Sequence, residues 1–220
     1  MNIDEPNAAP GRRSAFGEPP GSAVGLPLPA AFYDRDPALV ARQLLGCVLR
    51  MVDGHGAVSG RIIETEAYLG PHDAACHAVA GRTARTWHLF GPPGIAYVYF
   101  IYGMHWCVNA VTREDGFGSA VLIRALAPLE GVESMRVRRP RARHDAQLCN
   151  GPGKLCAALG IDRSYDGASL TGASALTIHT GESITDDLVL VGPRVGISKA
   201  VELPLRFRCD SSRFPQPDAD

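Results

Sequence analysis

Two Asp-Gly turn signals, Asp53-Gly54 and Asp115-Gly116, each stand between runs rich in β-branched and apolar residues, and they limit this chain more than any other feature. Tight turns of this kind join antiparallel neighbours, since parallel strands need a crossover of about a dozen residues or more. Cys47 to Val52 and Ala57 to Tyr68 form one expected hairpin with a long second strand, and Val108 to Thr112 with Ser119 to Leu126 form another. Ile95 to Tyr102, dense in Tyr, Val, Ile and Phe, reads as a further strand. Ala175 to His179, Leu188 to Val191 and Leu205 to Cys209 are shorter candidates, while residues 71 to 93 read as loop. Helices are expected at three points: after the capping pair Asp36-Pro37 as far as the Gly46 stop, from Glu130 to Arg138, and from Lys154 to Leu159 before Gly160. Strands joined mostly by hairpins predict an α+β fold, a single compact domain around a curved, largely antiparallel sheet with flanking short helices.

With 220 residues, 45% hydrophobic and 20% charged, the chain has the material for one core. Residues 1 to 27 are rich in Pro, Gly, Ala and Ser and carry no period, so they are expected as a disordered tail. Residues 28 to 209 are then the domain and 210 to 220 a C-terminal tail. The longest apolar stretch, Ile95 to Val111, is interrupted by Gly103, His105 and Asn109 and falls short of the roughly 20 residues that span a bilayer. No charged and apolar leader opens the sequence. The expectation is a cytoplasmic protein, without a membrane partner. Six scattered cysteines form no CxxC pair and no Cys/His zinc spacing, so reduced thiols and no metal are expected.

The net charge of -1 hides an uneven distribution. Arg12 and Arg13 stand against Asp4, Glu5 and Glu18 in the first tail, and Arg213 against Asp210, Asp218 and Asp220 in the last, so the body between is net positive. Of 22 basic residues 20 are Arg, and Arg136, Arg138, Arg139, Arg141 and Arg143 fall within eight positions. Arg suits bidentate contact with phosphate, although a solvated loop accounts for such a cluster equally well.

Alternation along Arg61 to Tyr68 puts Ile62, Glu64, Glu66 and Tyr68 on one face and Ile63, Thr65 and Ala67 on the other. A carboxylate in a mostly apolar strand must reach solvent, pair with a cation or serve a site. By the same rule Tyr97, Tyr99 and Ile101 share a face opposite Val98, Phe100 and Tyr102. His77 fits a general acid or base, a pocket wall or a satisfied loop histidine. The loop Asn150-Gly-Pro-Gly-Lys154 lacks the Walker spacing, and HExxH, GxSxG and the zinc deaminase signature are absent.

Four segments in order are far more specific than any one of them. Gly60-Arg-Ile-Ile-Glu-Thr-Glu-Ala-Tyr-Leu-Gly-Pro71, Tyr97-Val-Tyr-Phe-Ile-Tyr-Gly-Met104, Val121-Leu-Ile-Arg-Ala-Leu-Ala-Pro-Leu-Glu-Gly131 and Asn150-Gly-Pro-Gly-Lys-Leu155 closely resemble the alkyladenine (3-methyladenine) DNA glycosylase family, over about Leu39 to Phe207. The resemblance implies a monofunctional enzyme that flips alkylated or deaminated purines out of duplex DNA and hydrolyses the N-glycosidic bond, starting base excision repair. It makes Glu66 the general base that activates water, with Arg124 near that water. Tyr68, His77 and Tyr99 become walls of the base pocket, and Asn109 stands where the exocyclic amine of guanine would collide. Tyr102 becomes the wedge that fills the gap left by the flipped nucleotide, with Met104 beside it in the intercalating turn. Arg82, the five-Arg cluster and Lys154 are expected on DNA phosphates. No cofactor is called for. The partner is duplex DNA containing damaged purines, the protein is expected as a monomer, and in a bacterium it would sit with the nucleoid.

Two departures from the better-known mammalian relatives stand out: His105 replaces a Tyr beside the wedge, and the loop Thr112 to Ser119 is slightly longer. Lyase chemistry is not expected, because Lys154 and Lys199 are the only lysines and neither lies in the pocket segments. Two rival functions are weaker. Glu64 and Glu66 have roughly the separation of an inverting glycosidase pair but leave one strand in the same direction, and a module that binds lesions without cutting would have no need of Glu66.

Overall fold

The computed structural model describes residues 24–210, which form one domain of eight strands and four short α-helices. The long strand β2 (Gly56–Tyr68) is its spine. On one edge β2 pairs with β5 (Ser119–Glu130) almost throughout; on the other it pairs first with β1 (Val48–Asp53) and then, from Glu64 to Glu66, with β8 (Arg206–Cys209). Beyond β5 lie β4 (His105–Thr112) and β3 (Ala96–Ile101), beyond β1 lies β6 (Leu176–His179), and β7 (Val189–Gly192) pairs with β8. All the strand pairs among the described residues are antiparallel. The α+β expectation therefore holds: Asp53 closes β1 with Gly54 in the turn to β2, and Asp115-Gly116 falls between β4 and β5.

Helix α1 (Ala30–Tyr33) precedes α2 (Pro37–Leu44), whose first turn is capped by the Asp36 carboxylate accepting from the N–H groups of Ala38 and Leu39. Thr65 on β2 donates to the Ala41 carbonyl, which ties α2 to the sheet. Helices α3 (Val132–Arg138) and α4 (Pro152–Leu159) pack on each other, and Leu155, Ala158 and Leu159 of α4 enter the main core with Val108, Ile123 and Leu126.

Several boundaries differ from the sequence expectation for physical reasons. Strand β5 runs on past Leu126 to Glu130, because Pro128 faces Gly60 at a register shift and has no β4 partner on its other side, so its missing N–H interrupts no ladder. The second expected helix accordingly starts at Val132, after Gly131 at φ +69°. Strand β3 stops at Ile101, and β4 begins at His105, three residues before Val108. The stretch 71 to 93 contains two 3₁₀ turns, His77–Ala80 and Trp87–Phe90. The ideal alternation of β2 is broken by a register shift between Ile62 and Glu64, so Ile62 belongs to the main core while the carboxylates reach a cationic partner. The domain also starts earlier than residue 28: Leu28 and Thr180 bond to Ile178 and Leu26 respectively, and Pro27 bridges to His179. The rest of the expected N-terminal tail, and the C-terminal tail beyond Asp210, lie outside the described residues.

Candidate active site

Glu66 occupies a position in β2 where both edges are paired, with Leu122 of β5 on one side and Arg206 of β8 on the other. Its side chain is fully buried. Such a carboxylate survives only if its lone pairs are used, and three donors meet it. The Val195 backbone N–H donates to Oε1 at 2.7 Å, while the Tyr68 hydroxyl and Arg124 Nη1 donate to Oε2 at 2.9 and 3.2 Å. Burial, then the nearby Glu66 charge, pushes the Tyr68 phenol far above its ordinary range, so it remains a donor. Arg124 is itself held from the other side, because its Nε donates to Glu64 at 3.0 Å and Glu64 also accepts from Arg206 at 2.6 Å. Burial opposes the Arg124 charge, but Glu66 and Glu64 outweigh it and hold the guanidinium protonated.

Tyr68, Arg124 and Val195, the three partners of Glu66, all line a cavity of about 830 Å³. Tyr97 and Tyr99 of β3 line it too, their rings stacked with centroids 5.4 Å apart, and His77 meets Tyr99 edge-on at 4.7 Å. His77 Nδ1 lies 3.0 Å from the Tyr97 hydroxyl. Burial, assisted by Arg85, lowers the His77 pKa below the usual histidine range, so its ring is neutral around pH 7. Asn109 lines the cavity from β4, nearly buried, its amide nitrogen donating to the Tyr97 carbonyl at 2.9 Å. A space walled by three aromatic rings and a neutral imidazole suits a flat, electron-poor ring, with a buried carboxylate directly behind the wall.

Methylpurine-DNA glycosylase is the family whose model matches, over residues 31–213. The chain belongs to that family. It is 46% identical over 204 residues to a protein of Burkholderia lata named "Putative 3-methyladenine DNA glycosylase", covering 90% of this chain and 95% of that one. Proteins of the same name from Methanocella arvoryzae and Carboxydothermus hydrogenoformans are 48% and 44% identical, covering 81% and 85% of this chain and 88% and 97% of theirs. The protein is thus a DNA glycosylase, a hydrolase of N-glycosyl bonds acting on DNA.

The expected site residues fall into three groups in this glycosylase. Glu66, Arg124, Tyr68, His77, Tyr99 and Asn109 converge on one cavity. Tyr102 lines it and Met104 does not; both stand in the turn between β3 and β4 and are 75% and 69% exposed. Tyr102 is not on the strand face opposite Tyr99, as alternation suggested; it follows the last residue of β3, has φ +54°, and lines the same cavity. The basic residues scatter. Lys154 lines the cavity and donates to Asn150 at 2.7 Å, whereas Arg82 lies over Trp87 and donates to the Phe90 carbonyl. Arg136 pairs with Glu133 and Asp145, and Arg138 with Asp53 at the β1–β2 turn, at the far end of β2 from Glu66. Arg139 is partly buried, and Arg141 and Arg143 are exposed. No helix among the described residues is long and apolar enough to cross a membrane.

Sequence reading missed the segment Val195 to Lys199, which forms one side of the cavity, and Arg85, whose guanidinium lies 5.6 Å from the Tyr99 ring centre. One inference from the sequence is overturned: both lysines, Lys154 and Lys199, line the cavity. The order of segments along the chain says nothing of which loops fold back over a site, so that ground for excluding an amine from it is withdrawn. The glycosidase rival also loses its geometry, because Glu64 is held against Arg124 and Arg206 and does not face Glu66 across the cavity.

Proposed function

We propose that the protein flips alkylated purines, and deaminated ones such as hypoxanthine, out of duplex DNA into the aromatic cavity, where Glu66 takes a proton from the water that attacks C1′. The observation that carries this reading is the Glu66 carboxylate, wholly buried behind the wall and held by three groups that all line the cavity. Oε2 accepts two of its bonds and Oε1 only one, which leaves Oε1 a lone pair for a water proton. A 3-methylated adenine already carries positive charge and departs without a protein acid, so one base suffices for it, whereas neutral hypoxanthine must also gain a proton on the purine as the C1′–N bond breaks. Stacking between Tyr68 and the His77 and Tyr99 rings favours such a cation by about 0.5 to 2 kcal/mol. A damaged base also costs less to unstack, which adds to selectivity. Asn109, fixed by its bond to the Tyr97 carbonyl, excludes the extra amine of guanine. Tyr102, with Met104, enters the gap in the stack, and Lys154, Arg82, Arg141 and Arg143 meet phosphates of a single protein bound to duplex.

Release of free purines from methylated duplex DNA, separated by chromatography, tests this for the unaltered protein and Glu66→Gln side by side. The expected result is 3-methyladenine released by the first and a loss of about a hundredfold or more in the second, with lesion binding retained. Equal release by both discards Glu66 as the base. Retained lesion binding without release by either points to a binding module.

A further inference from the structure

Asp73 and Arg194 form an ion pair in which neither side chain has any exposed surface, 121 residues apart in sequence and outside every segment that the family resemblance singled out. Burying two charges is costly, and a pair of this kind is weak grounds for stability alone, since apolar groups of the same volume often serve as well. Its geometry is therefore informative. The Asp73 carboxylate accepts from both Arg194 terminal nitrogens and also from the Leu69 and Ala75 backbone N–H groups at 3.1 Å each, so it fixes the chain that leaves β2 just after Tyr68. Arg194 in turn donates to the Ala67 carbonyl at 3.0 Å, and its guanidinium carbon lies 4.8 Å from the centre of the Tyr68 ring. The residue after Arg194 is Val195, whose N–H holds Glu66 Oε1. One fork thus touches the strand that carries Glu66 and the ring that donates to Glu66, and it adjoins the peptide that donates to Glu66.

We infer that Asp73 and Arg194 are positioning residues for excision: they hold the Val195 N–H and the Tyr68 ring against Glu66, so that its carboxylate is aimed before the damaged base arrives. The inference rests on the reading of Glu66 as the general base. Arg194 is suited to this task and Lys is not, because a planar fork can engage Asp73 with two nitrogens and Ala67 at the same time. Opposing its own burial, Asp73 is kept ionised by Arg194 and by the two N–H groups, which lower its pKa below the usual carboxylate value.

The test compares Arg194→Lys, Asp73→Asn and Glu66→Gln with the unaltered protein, on duplex DNA carrying one lesion, under single-turnover conditions. Excision rate, lesion affinity and hydrogen exchange at the Val195 amide are measured on protein shown to be folded by circular dichroism. For Arg194→Lys and Asp73→Asn the expected result is a rate reduced about ten- to a hundredfold, affinity within about threefold, and faster exchange at Val195 while core amides of β5 keep their protection. An unchanged rate in folded Arg194→Lys or Asp73→Asn overturns the inference, and so does failure of both to fold, which assigns the pair to stability alone. Glu66→Gln separates the two failures: if it excises normally, the reading of the base falls first; if it is inactive while the other two are normal, only the positioning role falls.

Discussion

His105 packs directly over Gly153: a Cβ built on Gly153 would lie 2.8 Å from both the Cβ and the Cγ of His105. Gly153 is in the first turn of α4 and His105 opens β4 immediately after the Tyr102 to Met104 turn, so the contact sets the distance between the helix and the turn that carries Tyr102, the proposed wedge. Gly153→Ala gains helix propensity but forces the start of β4 outward. Excision from duplex is expected to fall about tenfold, equivalent to about 1.4 kcal/mol, with a much smaller effect on a lesion presented in single-stranded DNA. Parallel assays on the two substrates check this, and equal effects on both would show that the contact does not control the wedge.

Tyr102 and Gly103 both have positive φ, +54° and +68°, which is the backbone of a type I′ turn. A bulky aromatic at the first of these positions costs roughly 1 to 2 kcal/mol, whereas Asn adopts it readily. Tyr102→Asn is therefore expected to raise the melting temperature by a few degrees while reducing excision from duplex. Differential scanning calorimetry and the duplex assay read the two effects separately. Lowered stability together with full activity would reject both the strain and the wedge role.

The hairpins are legible in the residues themselves because each depends on positions close together in the chain, whereas the pocket roles come only from the family resemblance, since a carboxylate or tyrosine in a strand also fits a solvated face or plain packing. Asp-Gly turns set the β1–β2 and β4–β5 connections, and Glu66, Tyr68, Tyr97 and Tyr99 lie in short strand-like runs. Alternation fails at Ile62, where a register shift intervenes, and at Tyr102, where the strand has ended. Neither event has a periodic signature. Val195 is illegible for a different reason: it acts through a backbone N–H, its side chain carries no clue, and its partner is 129 residues away. The Arg cluster shows the opposite error. Sequence proximity groups five guanidiniums, but the fold spends Arg136 and Arg138 on Asp145, Glu133 and Asp53.

That division among the arginines predicts different salt responses. Removing one side chain that neutralises a phosphate lowers the slope of log affinity against log salt by about one. Lys154→Gln, Arg141→Gln and Arg143→Gln are each expected to do so, because these side chains are exposed and form no ion pair among the described residues. Arg138→Gln is expected to leave the slope unchanged and instead to lower stability, because its bond to Asp53 is removed. Fluorescence anisotropy across a salt series, with a melting curve for each variant, distinguishes the two classes.

Glu64 and Glu66 have different tasks despite their shared strand. Glu64 orients Arg124 and pairs with Arg206, whereas Glu66 is held beside the cavity. Glu64→Gln keeps an acceptor for Arg124 and removes only the charge, so excision is expected to drop about tenfold or less, against about a hundredfold or more for Glu66→Gln. Single-turnover rates of the two variants decide it. Equal and severe losses would revive a mechanism in which two carboxylates act together.

His77 gives the protein a distinct response to acid. Its burial among the aromatic walls, with Arg85 close by, lowers its pKa in the folded protein below the ordinary 6.5, so in the window just below that value the unfolded chain binds a proton that the folded one resists. Stability from this group is complete above pH 6.5 and declines as the pH falls toward the depressed folded value. His77→Asn keeps a polar side chain next to the Tyr97 hydroxyl and cannot titrate. Urea unfolding at about pH 7.5 and about pH 5.5, on either side of the ordinary histidine value, is expected to show a smaller loss of stability on acidification for the variant than for the unaltered protein. An identical loss in both would mean that His77 ionises in the folded cavity as freely as in water, and a pocket wall that did so would repel the cationic bases proposed to stack on it.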